Sequence, residues 1–98
     1  MDTQLLWIIY DAAIEDTLSE LLDRLEVPGY TRFEGLHGRG GQGRKRNDPI
    51  FPGFNNAVLI LAPAEQVEPI RRAIRRLQAE YRVRPGVTLI AQAGAELP

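Results

Sequence analysis

Apolar residues along the chain fall into runs of two kinds, and the kinds alternate. Leu5-Leu6-Trp7-Ile8-Ile9-Tyr10 is a continuous apolar stretch rich in aromatic and β-branched residues, bounded by polar ones, which predicts a buried first strand. From Ile14 the period changes. Ile14, Leu18, Leu21, Leu22 and Leu25 recur at helical spacing, and Glu15, Asp16, Glu20, Asp23 and Arg24 fill the other face. Asp11 offers the N-cap of this first helix, and the acidic cluster Asp11, Glu15 and Asp16 suits its first turn. Pro28-Gly29 ends it, after which Tyr30-Thr31-Arg32-Phe33-Glu34 alternates ring and polar positions as a second strand would. Asn56 to Ala62 predicts a third strand, so continuously apolar that burial on both faces is expected, one of them against another subunit. Pro63 fits the first position of a second helix. Val67, Ile70, Ile74, Leu77 and Tyr81 mark its core stripe beside Arg71, Arg72, Arg75 and Arg76, with Glu68 and Arg72 as a favourable i,i+4 pair. Arg84-Pro85-Gly86 turns the chain into a fourth strand, Val87 to Ala91, and the tail from Gln92 to Pro98 carries no pattern.

The order βαββαβ predicts an α+β, ferredoxin-like fold: an antiparallel four-stranded sheet with both helices on one face and a long loop between strands 2 and 3. One domain accounts for all 98 residues. Two helices on one side leave Trp7, Ile9 and the third strand with apolar surface to spare, and burial against other copies of the chain is the simplest destination for it.

The loop from Gly35 to Gly53 breaks from everything around it. Connections in small domains usually run about four to six residues, and much longer ones are usually functional or disordered. It also concentrates charge. Arg39, Arg44, Lys45 and Arg46 against Asp48 give it +3, leaving −4 for the rest of a chain whose total is −1. A patch this local favours an anionic ligand or an acidic protein and is too small to argue for nucleic acid. Gly38, Gly40, Gly41 and Gly43 can bring backbone N–H groups close to an anion, with Arg39 and Arg44 beside them. The P-loop spacing is not met.

The remaining composition mainly excludes. At 44% hydrophobic and 26% charged the chain is ordinary for a soluble domain, and its longest apolar runs are too short to span a bilayer, so no membrane insertion is expected. Without cysteine there is no disulfide or thiolate site. No secretory signal precedes the first strand, and a cytoplasmic location is expected. No paired acid/base or nucleophile constellation is present, so no enzyme is expected.

Gly29, Thr31 and Glu34, followed by Gly38-Arg39-Gly40 and the exit Pro52-Gly53-x-Asn55, make this stretch resemble the PII-like signalling superfamily. The resemblance implies a homotrimer that binds a small effector at its subunit clefts, often an adenine nucleotide, and engages a target protein or transporter through a flexible T-loop, here about residues 37–53. Carried onto this chain, it places effector contacts on Glu34, Gly35, His37, Gly38, Arg39, Gly40 and Gly41, and the partner-binding tip on Arg44, Lys45, Arg46, Asp48 and Phe51. The chain lacks the loop tyrosine of classical members, and where they carry T-G-x-x-G-D-G it has the proline-containing turn Glu80 to Gly86. The effector expected is an adenine nucleotide, another small anion or a divalent metal. The competing reading is a CutA-like trimer binding divalent metal through His37, the only histidine.

Overall fold

In the computed structural model, residues 2–40, 43–44 and 53–98 are described; for 39, 40, 43 and 44 this covers the backbone alone. Strand β1 (Thr3–Asp11) leads through a 3-10 turn (Ala12–Ile14) into helix α1 (Glu15–Arg24). Next come β2 (Tyr30–Leu36), the short pair β3 (Arg39–Gly40) and β4 (Gly43–Arg44), then β5 (Asn55–Pro63), α2 (Ala64–Ala79) and β6 (Val87–Ala93). The main sheet runs β2-β5-β1-β6, antiparallel throughout, which is the ferredoxin-like arrangement the sequence pattern predicts.

Strand alternation sorts the residues into two faces. Leu6, Ile8 and Tyr10 of β1 share one face with Val58, Ile60 and Ala62 of β5, and there they meet Ile14, Leu18, Leu21 and Leu22 and Ile70, Ile74 and Leu77 in a single core. The other face carries Leu5, Trp7, Ile9, Phe33, Leu59, Leu61 and Ile90, none of them covered by a helix. Trp7 and Phe33 stack there with ring centroids 5.8 Å apart. Their strands are not neighbours. The two rings meet across Ala57 of the intervening β5, which is itself buried. β5 is therefore apolar on both faces as expected, but the outer one is only partly covered within a single chain.

Local starts and stops differ from the sequence reading in instructive ways. Asp11 does cap, but its carboxylate accepts from Ala13 N at 2.9 Å and closes the 3-10 turn, so α1 proper begins only at Glu15. Pro63 keeps extended backbone (ψ 143°) and sits one position earlier than expected, as the N-cap of α2. α2 then runs through Pro69, whose ring removes one backbone donor inside the helix. Glu68 pairs with both Arg71 and Arg72, on an exposed surface where such pairs add little.

Candidate functional site

β2 does not end at Glu34. It runs to Leu36 and carries one extra residue: Phe33 pairs with Ala57 and Leu36 with Asn55, so three steps on β2 match two on β5. This is a β-bulge, and Gly35 occupies it at φ 71°, a region other residues enter only with strain. The bulge frees the Gly35 N–H from the ladder, and it donates instead to the Asn56 side-chain Oδ1 at 3.1 Å. The loop thus leaves and re-enters the sheet at one point, with Leu36 opposite Asn55 and Gly38 beside the Asn55 side chain.

Beneath this root lies a carboxylate that the sequence reading assigns only to a helix's first turn. Glu15 Oε1 accepts from Tyr10 Oη at 2.5 Å and from Asn56 Nδ2 at 2.7 Å. Its Oε2 accepts from Ser19 Oγ at 2.7 Å and from Arg32 Nη1 at 3.1 Å. Arg32 Nε reaches on to Glu34 Oε1 at 3.1 Å. Burial alone would raise the Glu15 pKa, but hydrogen bonds from Ser19, Tyr10 and Asn56 and the Arg32 charge outweigh it and hold the carboxyl below its usual range. Tyr10 moves the other way: its phenol is pushed well above its ordinary value, first by burial and then by donating to a carboxylate.

Three further segments line up across the same end of the sheet. The Asp11 N–H donates to the Gly86 carbonyl and the Ala12 N–H to the Phe54 carbonyl, each at 3.1 Å. The turn after α2 is fixed from below by Gln78, almost wholly buried, whose Nε2 donates to the Pro85 carbonyl at 2.7 Å while its Oε1 accepts from Arg75 Nη1 at 2.7 Å. Arg75 also donates to the Val87 carbonyl at 3.0 Å. One end of the sheet is therefore lined in turn by the loop root, the loop exit, the β1 end and the 80–86 turn, in which Arg82 and Arg84 are exposed. A shallow groove lined by Leu5, Gly29, Tyr30, Thr31, Leu59 and Leu61 lies at the opposite end of β2 and shares none of these residues.

Of the effector contacts expected from sequence, Glu34, Gly35, His37 and Gly38 do gather at the root, and Glu34 and His37 are exposed. The backbone of Arg39 and Gly40 pairs with that of Arg44 and Gly43 in a two-stranded hairpin, so these glycines form a ladder above the root. Gly41, Lys45, Arg46, Asp48 and Phe51 lie outside the described residues. Among the described residues, no three acidic or histidine side chains come together as a metal site, and His37 has no such company. Sequence reasoning missed Glu15, Arg32 and Asn56. The visible signal was Asn56, an amide at the entry of an apolar strand, but its partner stands 41 residues away.

Comparison with known proteins agrees with this architecture. CPII of Thiomonas intermedia K12, a nitrogen regulatory PII-like protein solved with ADP, AMP and bicarbonate, superposes with a TM-score of 0.72 at 21% identity, over 98% of this chain and 91% of that one. A PII-like signalling protein of Thermus thermophilus is 26% identical with a TM-score of 0.60, over 96% of this chain and 91% of that one. GlnK of B. subtilis, solved with ATP, is 13% identical with a TM-score of 0.56, over 93% of this chain and 82% of that one. A search of curated proteins gave no match. The family model for nitrogen regulatory protein P-II matches residues 3–93, nearly the whole length, and the chain belongs to that family.

Proposed function

We propose that this protein is a PII-like regulator that assembles as a homotrimer, binds an adenine nucleotide or another small anion at the loop root, and engages a protein partner through residues 37–53. The observation that carries the reading is the alignment of four segments along one end of the sheet. The root of the long loop, its exit, the β1 end and the turn bearing Arg82 and Arg84 follow one another along that end, from the β2 side to the β6 side, and offer an anion several backbone and arginine donors in a row. CPII, which shares this fold, was solved with ADP, AMP and bicarbonate, and those molecules are the first to try here.

Two departures shape the expected chemistry. The phosphate-cradling glycines of classical members are replaced by a turn that Gln78 and Arg75 hold rigid, so phosphate contact falls to arginine side chains and to the loop root. The loop has no tyrosine to take the modification of classical members, and control by ligand binding requires an effector to prefer one loop arrangement over another.

The uncovered outer face, with Trp7, Phe33, Leu59 and Ile90, supplies the apolar surface for assembly. Thermal denaturation with ADP, ATP, cyclic AMP and bicarbonate tests the effector. A ligand at 100 times its Kd stabilises the folded state by about 2.7 kcal/mol. At least one of the four is expected to raise the melting temperature in a dose-dependent way, and silence from all four would overturn the effector reading.

A further inference from the structure

Glu15 stands on α1, and both of its oxygens lead to the loop entry by separate routes. From Oε1 the path runs through the Asn56 amide to the Gly35 N–H, at 2.7 and 3.1 Å. From Oε2 it runs through the Arg32 guanidinium to Glu34, at 3.1 and 3.1 Å. The two consecutive residues of the β2 bulge are thus tied to one carboxylate on a helix.

We propose that Glu15 and Asn56 are positioning residues for the loop: together they fix the bulge at Gly35 and so set the direction in which the chain leaves the sheet. An ionised carboxylate only accepts hydrogen bonds, and with about four lone-pair sites it is saturated by Tyr10, Asn56, Ser19 and Arg32. It has no capacity left for a ligand; its role is to orient others. Because Glu15 can only accept, Asn56 must turn its NH₂ toward it, which leaves Oδ1 facing the Gly35 N–H. The amide is buried, so it cannot exchange these partners for water. Without it the bulge loses the acceptor that holds its freed donor. A shift of the α1 start is thereby passed to the loop entry, and a shift of the loop entry is passed back.

This rests on the reading of residues 37–53 as the working loop, and the experiment separates the two. Backbone amide exchange is followed by NMR in the full-length protein for Asn56→Asp, Glu15→Gln, the double variant and Arg32→Gln, with ADP affinity measured alongside. Asn56→Asp keeps an acceptor for the Gly35 N–H but sets a second carboxylate against Glu15, and their repulsion should swing the side chain off the bulge and speed Gly35 exchange roughly tenfold, about the effect of one lost hydrogen bond, while Ile60 and Ile74 stay protected. Adding Glu15→Gln restores a donor facing an acceptor and should recover most of that protection. Arg32 is partly exposed, so Arg32→Gln folds even where the buried change does not, and it should loosen Glu34 and Gly35 alone. Unchanged Gly35 exchange in Asn56→Asp and Arg32→Gln overturns the proposal, as does loosening spread evenly through the core or a double variant no better than Asn56→Asp. If the unaltered protein does not bind ADP, ADP is not its effector, while the exchange rates still decide the role of Glu15 and Asn56.

Discussion

Leu59→Asp probes the sheet face that no helix covers. Leu59 sits at the centre of β5, between Trp7 of β1 and Thr31 of β2, with its side chain on the outer face. If that face meets solvent in solution, the substitution removes a half-buried leucine from a monomer surface and costs about 1 kcal/mol. If the face is the contact between three copies, each copy loses about 2 kcal/mol of apolar transfer, and each brings an unpaired carboxylate into an apolar contact at a further ~3 kcal/mol. Summed over a trimer this is about 15 kcal/mol, and with tenfold in affinity for every 1.4 kcal/mol, no assembly would persist at micromolar concentration. Sedimentation velocity, with circular dichroism to establish that the chain remains folded, separates the cases. The expected result is a trimer for the unaltered protein and a folded monomer for the variant. A monomeric unaltered protein, or a variant that stays trimeric, would show that this face is not the contact between copies.

Gly35→Ala should lower stability to urea by about 1–2 kcal/mol, the cost of placing a Cβ at positive φ, because nothing stands within 4 Å of that position to add a clash. Gly35→Asn should cost less, since asparagine tolerates this region better; equal losses would show the bulge is not held at φ 71° in solution. Gln78→Leu strips the Pro85 carbonyl and Arg75 of their partner and should cost about 1–3 kcal/mol in the same assay, with faster amide exchange in residues 80–86. The pH dependence follows from Glu15. Its folded-state pKa lies below the usual 4.5, so its stabilisation is complete above that value and is lost as pH falls through the depressed one. Urea midpoints taken from about pH 6 to about pH 3 should therefore fall more steeply for the unaltered protein than for Glu15→Gln, and parallel curves would contradict this. Glu68, drawn down to about 2 by hydrogen bonds from Arg71, titrates in both proteins and drops out of the difference.

Elements whose identity rests on local periodicity are legible in the sequence. The first strand, both helices and the third strand are strongly patterned, and the structure places each within a few residues of its expected span. What escapes depends on contacts distant in sequence. Glu15 looks like any acidic residue in a first helical turn, and only folding brings it to Asn56 and Arg32, 41 and 17 residues away. The bulge escapes for a similar reason: a glycine after Glu34 reads as the start of a loop, whereas pairing of Leu36 with Asn55 carries the strand past it. Asp11 caps as its position predicts, but whether a cap closes a 3-10 turn or an α-helix depends on the chain's exit angle from β1. The family resemblance lies in the glycine pattern from Gly29 to Asn55, and the match over residues 3–93 bears it out.

On the reading proposed above, an anionic effector binds at the loop root. NMR titrations of the ¹⁵N-labelled protein with ADP, ATP, cyclic AMP and bicarbonate, each to about 1 mM, where even a millimolar Kd gives half-saturation, show whether and where it does. For the ligand that binds, shifts are expected at Glu34 to Gly38, Phe54 to Asn56, Asp11, Ala12 and the 82–86 turn, the residues that line one end of the sheet. No shifts with any of the four, or shifts centred on the groove formed by Leu5, Tyr30, Leu59 and Leu61, would contradict it.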